Sequence, residues 1–247
     1  MKTNHSEIKG KNIIVTGGTT GIGRATAKIL LGLGGNVMIF GRDKTHLDDA
    51  ISELTTIEEG NIYGTNADVT SKENVDEVFA EFDKTFGQID ILINNASLPA
   101  RSITKSEYPE WEYVLKVNIL GYLHFSSEAI ERMRKKGEGH IVNIGSMSAK
   151  VKEEDADVYV ATKSAIEGFS ESLRKQVNKY GIKVSLIEPG SVGTDMVDET
   201  PEEQEILENK LVMLKAEDIA EAVVFCLTRP KRCDVICLEI KPHKQLI

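Results

Sequence analysis

The stretch NIIVTGGTTGIGRATAKILLGLG, which begins at Asn12, most constrains what this chain can fold into. Asn12–Thr16 is a short apolar run of strand length. Glycines crowd the turn from Gly17 to Gly23, and a helical pattern follows at once. A strand that turns directly into a helix points that helix's free N–H groups and partial positive charge at the strand's carboxyl end. Glycine allows both the tight turn and a close approach of backbone to a phosphate. Gly17, Thr19, Thr20, Gly21, Ile22 and Gly23 are therefore candidate pyrophosphate-binding residues. The competing reading is a plain glycine-rich turn.

The alternation continues. Strands are predicted at 36–40, 61–65, 89–94, Gly139–Ile144, 183–188 and 234–240. Helices are predicted at 44–58, 71–86, 109–136 (bent), from Tyr159 to about Tyr180, at 200–210 and at Ala216–Leu227. Thr200, Pro201 and Glu203 supply an N-cap, a first-turn proline and a capping glutamate. Strand–helix alternation implies βαβ units and a parallel sheet covered on both faces. The 247 residues carry no repeat, low-complexity segment or linker, which predicts one domain over 1–247. Ligands bind outside the carboxyl ends of such strands. The glycine turn, Arg42, Asp68, the NNAS of Asn94–Ser97, Ser146 and Pro189-Gly190 all fall at that edge.

Three of these positions suit acid–base chemistry. Tyr159 and Lys163, four apart, share one helix face about a turn apart. A free tyrosine titrates at about 10, and a nearby ammonium favours its phenolate. Ser146, at the end of a buried strand, can hold a substrate oxygen while Tyr159 exchanges the proton. YxxxK alone also occurs by chance on structural helices, so the neighbouring motifs carry the argument. Arg42 follows the second strand, where an acidic residue would bind ribose hydroxyls; no carboxylate is expected at or near Gly41 to repel a 2′-phosphate, and an arginine there accommodates one. Thr20, in the glycine loop, carries no charge for such a phosphate, although its hydroxyl can still donate to it. Asp68 suits either an adenine amino group or the N-cap of the helix at 71–86.

A net charge of −9 without a basic stripe argues against nucleic acid. No apolar run reaches the ~18 residues of a membrane span. The polar N-terminus lacks a signal-peptide core, so a cytoplasmic location is expected. Cys226, Cys233 and Cys237 form no CxxC pair and read as reduced thiols, at least partly core-packed. His5, His46, His124, His140 and His243 show no metal-ligand spacing, and no metal is expected.

Taken together, these motifs resemble the short-chain dehydrogenase/reductase family from about Lys9 to Lys241. TGGTTGIG is similar to its TGxxxGIG loop, and NNAS to its NNAG turn. Asp68 matches its adenine-binding aspartate, and Pro189-Gly190 with Thr194 match its PG…T segment. Ser146, Tyr159, Lys163 and the helical Asn118 match its catalytic tetrad. The resemblance implies a three-layer, doubly wound Rossmann fold with a seven-stranded parallel sheet. It implies an oxidoreductase that moves a hydride between nicotinamide and a carbonyl or secondary alcohol. Tyr159 would exchange the proton, Ser146 would bind the oxygen, and Lys163 would hold the nicotinamide ribose and lower the Tyr159 pKa. Asn118 would place a relay water. Val69, Asn95, Ala96 and Val192 join the implied dinucleotide site. NADP(H) is expected over NAD(H), a lid over 191–210, and a homodimer or homotetramer built on the helices at 109–136 and at Tyr159. Three departures stand out: Ser97 replaces the usual glycine, Gly145 replaces a frequent serine, and the tail reads CLEIKPHKQ instead of a Gly-Gly ending.

Two other readings compete with an NADP(H)-dependent enzyme. One is a non-catalytic dinucleotide-binding redox sensor or scaffold, against which the full tetrad argues. The other is the same chemistry with NAD(H).

Overall fold

The computed structural model describes residues 7–247, so His5 lies outside the described residues. Strand residues of the sheet alternate between two cores, as a period of two demands. In β1 (Asn12–Thr16), Ile13 and Val15 face one core and Ile14 the other. In β2 (Asn36–Gly41), Val37 and Ile39 join the first core, Met38 and Phe40 the second. The remaining strands are β3 (Asn61–Asn66), β4 (Ile91–Asn94), β5 (Gly139–Ile144), β6 (Ile182–Pro189) and β7 (Cys237–Ile240). All pair in parallel in the order β3-β2-β1-β4-β5-β6-β7.

The helices are α1 (Gly21–Gly32), α2 (Lys44–Leu54), α3 (Lys72–Thr85), α4 (Tyr108–Leu115), α5 (Tyr122–Lys136), α6 (Ser148–Val151), α7 (Asp157–Val177), α8 (Pro201–Asn209) and α9 (Ala216–Leu227). Leu30 of α1, Leu54 of α2 and Val223 of α9 fill the first core. Phe79 of α3, Phe125 of α5 and Leu173 of α7 fill the second. This is the expected three-layer, doubly wound Rossmann arrangement. The order reverses between β1 and β4, which opens the ligand crevice at their carboxyl ends. Among the described residues no helix is long and apolar enough to cross a membrane.

Several boundaries differ from expectation, each because a side chain takes a backbone partner. The helix predicted to reach 58 ends at Leu54, where the Thr55 and Thr56 hydroxyls donate to the Ile51 and Glu53 carbonyls. The strand predicted from 89 begins at Ile91, and the Asp90 carboxylate accepts from the Asn12 amide at 2.8 Å. The strand predicted from 234 begins at Cys237, because Lys183 Nζ and Ser185 Oγ take the Cys233 and Val235 carbonyls, each at 2.6 Å. The bend expected in 109–136 is a π-helical turn, Lys116–Gly121, between α4 and α5. Such turns often occur at functional sites, and this one carries Asn118. Thr200 and Glu203 form the expected capping box on α8. Cys226 is buried, but Cys233 and Cys237 are exposed, and all three are free thiols.

Candidate active site

The glycine turn is held from beneath by Thr16 and Asn95. Thr16 Oγ1 accepts from the Asn95 and Ala96 amides, and Asn95 Nδ2 donates to the Thr16 and Gly17 carbonyls. Gly17 has φ +62°, and a Cβ there would lie 2.9 Å from Ala96 Cα. A Cβ on Gly23 would lie 2.1 Å from the Gly17 carbonyl oxygen, so this glycine lets α1 close on the turn. Above the turn lies a cleft of about 490 Å³, bordered by Gly17, Thr19, Thr20, Gly21 and Ile22. Arg42, Val69, Asn95, Ala96 and Thr194 complete the expected set there. Gly23 and Asp68 stand behind the wall.

The adenosine end is more connected than its sequence suggests. Arg42 Nη1 donates to the Tyr113 hydroxyl, and its guanidinium lies 5.1 Å from that ring's centre. The Tyr113 hydroxyl donates to Asp68 Oδ2 at 3.0 Å, while Thr70 N donates to Asp68 Oδ1 at 2.8 Å. Burial pushes the Asp68 carboxyl up, but these hydrogen bonds outweigh it and hold the group below the usual range. Asp68 is not the N-cap of α3; Ser71 fills that place, its Oγ accepting from Asn74 N. A carboxylate does stand near Gly41, namely Asp43, but it is the N-cap of α2 and accepts from His46 N at 3.0 Å. The Thr20 hydroxyl, expected to face a phosphate, donates to Asp195 Oδ2 at 3.0 Å.

A second cleft of about 390 Å³ adjoins the first at Ile22, Asn95, Ser97, Thr194 and Met196. Ser146, Tyr159 and Lys163 line it, with Pro189, Gly190 and Val192 on the opposite wall. Ser146 follows β5, and its Oγ accepts from Ser148 N at 3.1 Å, which fixes the start of α6. Gly145 leaves room for Leu186, whose Cδ1 would lie 2.9 Å from a Cβ there. Asn118 is buried and lines neither cleft, but it holds Leu98, which borders the first. Its amide accepts from Leu98 N at 2.8 Å and donates to the Leu98 carbonyl at 2.9 Å and to Thr162 Oγ1 at 3.3 Å.

The electrostatics correct one expectation. Lys163 Nζ lies 5.5 Å from the Tyr159 ring centre and donates to the Ile144 carbonyl at 3.1 Å. Burial lowers the Lys163 pKa to about 7. Although part of the Tyr159 side chain remains exposed, desolvation pushes its phenol up to about 12, against the influence of the Ser146 and Ser97 hydroxyls. In the cofactor-free chain desolvation therefore dominates both groups: it raises the phenol and weakens the hold of Lys163 on its proton, so the pair's spacing does not by itself lower the tyrosine.

Three contributors escaped the sequence. Gln245 of the tail reaches the second cleft, where its Oε1 accepts from Ser191 N at 3.1 Å. Glu153 stands at the mouth, held by the Ser148 hydroxyl at 3.1 Å. Tyr113 links the two adenosine-end residues. Two sets of possible metal ligands also converge, Asp76 with His124 and Glu128, and Glu188 with Cys237 and Glu239. In the second, the Lys150 ammonium bridges Glu188 and Glu239 and fills the place of a cation.

Comparison with known proteins places this geometry. The family model for the short chain dehydrogenase matches residues 11–205. An uncharacterized oxidoreductase of Staphylococcus epidermidis is 35% identical over 238 residues, covering 96% of this chain and 99% of the relative. An uncharacterized oxidoreductase of Staphylococcus aureus is 35% identical over 234 residues, covering 94% and 97%. Among solved structures, the closed form of a serine dehydrogenase complexed with NADP+ superposes with a TM-score of 0.85 at 28% identity, covering 95% of this chain and 96% of that one.

Proposed function

The chain belongs to the short-chain dehydrogenase family, and we propose that it is an NADP(H)-dependent carbonyl reductase or alcohol dehydrogenase for a small substrate. The observation that carries the reading is the meeting of the two clefts beside Tyr159 and Ser146. A dinucleotide fits the first cleft: Gly17 and Gly23 allow the tight turn and the close packing of α1 on it, and α1 presents its N-terminus to the cleft. Arg42 would hold the 2′-phosphate, Asp68 and Val69 the adenine, and Asn95, Ala96, Pro189, Gly190, Val192 and Thr194 the nicotinamide end. Thr20 joins the phosphate contacts once its hydroxyl leaves Asp195.

When bound, the nicotinamide would supply or accept the hydride at the carbinol carbon. Tyr159 gives its proton to the carbonyl oxygen in reduction, and its phenolate takes the proton back in oxidation. Ser146 donates a hydrogen bond to the same oxygen. Lys163 gains the ribose hydroxyls as partners, which favours its charged form and thereby the phenolate. Asn118 holds the wall at Leu98 and the water expected beside it. The apolar walls, Pro99, Ala100 and Met147, exclude solvent from the reacting carbon. The segment 191–210 borders both clefts through Thr194 and Met196 and acts as the lid.

Leu115, Leu120 and Leu123 remain exposed along α4, the π-helical turn and α5. Their burial in a homodimer, or in two pairs as a homotetramer, accounts for them. Sedimentation at micromolar concentration should give an even-numbered assembly; a monomer would contradict this. The function is tested by following NADPH and NADH oxidation across a panel of ketones and aldehydes. Turnover with NADPH supports the proposal. Tight NADPH binding with no turnover on any carbonyl would favour the sensor or scaffold instead.

A further inference from the structure

Ser97 carries an observation that the proposed mechanism does not use. Its hydroxyl oxygen is buried and has no partner within hydrogen-bond distance, yet it lies near enough to the Tyr159 phenol to favour its ionised form. It lies where the two clefts meet and beside the Tyr159 phenol. An unpartnered buried hydroxyl is destabilising, so its retention calls for a partner that forms during the reaction. The substrate oxygen already has Ser146 and Tyr159. The acceptor that changes most is the phenol oxygen, which gains a full negative charge when Tyr159 gives up its proton. A hydroxyl bond to an ionised acceptor is about twice as strong as one to a neutral acceptor.

We propose that Ser97 is a positioning residue whose hydroxyl donates to the Tyr159 phenolate oxygen, as a donor additional to those on the substrate oxygen. In reduction, the Tyr159 O–H bond breaks as the proton passes to the substrate oxygen, and the electron pair stays on the phenolate oxygen. The Ser97 hydroxyl rotates to that oxygen, and its own proton is shared but not transferred. In oxidation the phenolate already holds this bond and keeps the ring aimed while it takes the alcohol proton. The inference rests on the reading of Tyr159 as the proton-transfer group. It also gives the departure from glycine at this position a chemical role, since glycine offers no hydroxyl.

The test reads the phenol directly and needs no turnover. Tyr159 is replaced by 3,5-difluorotyrosine in the cofactor-free protein, because fluorine acidifies the phenol and brings its titration into a range where the protein stays folded. Fluorine NMR then follows ionisation against pH in the parent and in Ser97→Ala, Ser97→Gly and Ser97→Thr. Loss of the donor should weaken ionisation about tenfold, so the midpoint should rise by about one pH unit in Ser97→Ala and Ser97→Gly. Ser97→Thr keeps the hydroxyl and should titrate with the parent. Superposed curves for the parent and Ser97→Ala would overturn the proposal. Equal displacement in Ser97→Thr and Ser97→Ala would assign the effect to packing and overturn it too. The substitutions remove no existing hydrogen bond, so the fold should survive them. Failure of the carbonyl panel would refute the function without moving these midpoints, and the two failures are thereby distinguishable.

Discussion

Replacing Lys163 by methionine should stabilise the cofactor-free protein near neutral pH while abolishing turnover. Lys163 is buried among side chains that give it no carboxylate partner, and desolvation lowers its pKa from 10.5 to about 7. In the unfolded chain the same group titrates at about 10.4. The folded state therefore binds fewer protons than the unfolded state between these values, and wild-type stability must rise with pH across that window. Below about pH 7 the folded lysine is charged as well, and the cost reaches its full size. At about 1.36 kcal/mol per pH unit, the fall from 10.5 to about 7 sets an upper figure of about 4–5 kcal/mol. Structural relaxation and water entry reduce it, so about 1–3 kcal/mol is expected at pH 7. Methionine leaves no orphan behind: the Ile144 carbonyl that accepts from Lys163 also accepts from the Tyr122 hydroxyl at 3.0 Å. Denaturant unfolding of parent and Lys163→Met at pH 7 and pH 9.5, without dinucleotide, measures the difference directly. Other titrating groups are common to both proteins and cancel. The advantage of the variant should shrink at pH 9.5, where most of the wild-type penalty has gone. A variant less stable than the parent at pH 7, or an advantage that does not change with pH, would refute the reasoning.

The other predictions concern activity. Tyr159→Phe should lower kcat by about 10²–10⁴-fold while NADPH affinity by fluorescence titration stays within about twofold, because only the transferable proton is lost. Arg42→Ala should cut the ratio of kcat/KM for NADPH over NADH by about ten- to a hundred-fold, the worth of a hydrogen bond to a charged group. A parent that uses both cofactors equally would sink that assignment. Arg42→Ala is a cleaner variant than one with Gly41→Asp, since a Cβ at Gly41 would lie 2.8 Å from Thr19 Cγ2 and disturb the turn as well.

What the sequence discloses here is whatever repeats locally. The five inner strands are legible because apolar residues fill both faces of a parallel sheet, and the glycine turn because Gly17 and Gly23 leave no room for a side chain. Every strand-end motif accordingly falls on one edge. What the sequence hides depends on which way a polar side chain turns once distant segments meet. Asp43 is adjacent to Arg42 and borders the same cleft, where its ionised carboxylate accepts from His46 N at the start of α2, an acidic neighbour that attention to Gly41 passes over. Tyr159 and Lys163 have the spacing of an activated pair, but the tertiary burial that brings them together also lowers the lysine to about 7 and raises the phenol. Spacing along a helix carries no information about that desolvation. In the proposed reading, the ribose hydroxyls expected at Lys163 would favour its charged form and, through it, the phenolate. Gln245 extends the same point: the tail that departs from the family pattern is the segment whose amide oxygen accepts from Ser191 N, in the wall of the second cleft. A departure in sequence thus becomes part of the wall of the second cleft, through a contact between Gln245 and Ser191 that no local pattern in the sequence announces.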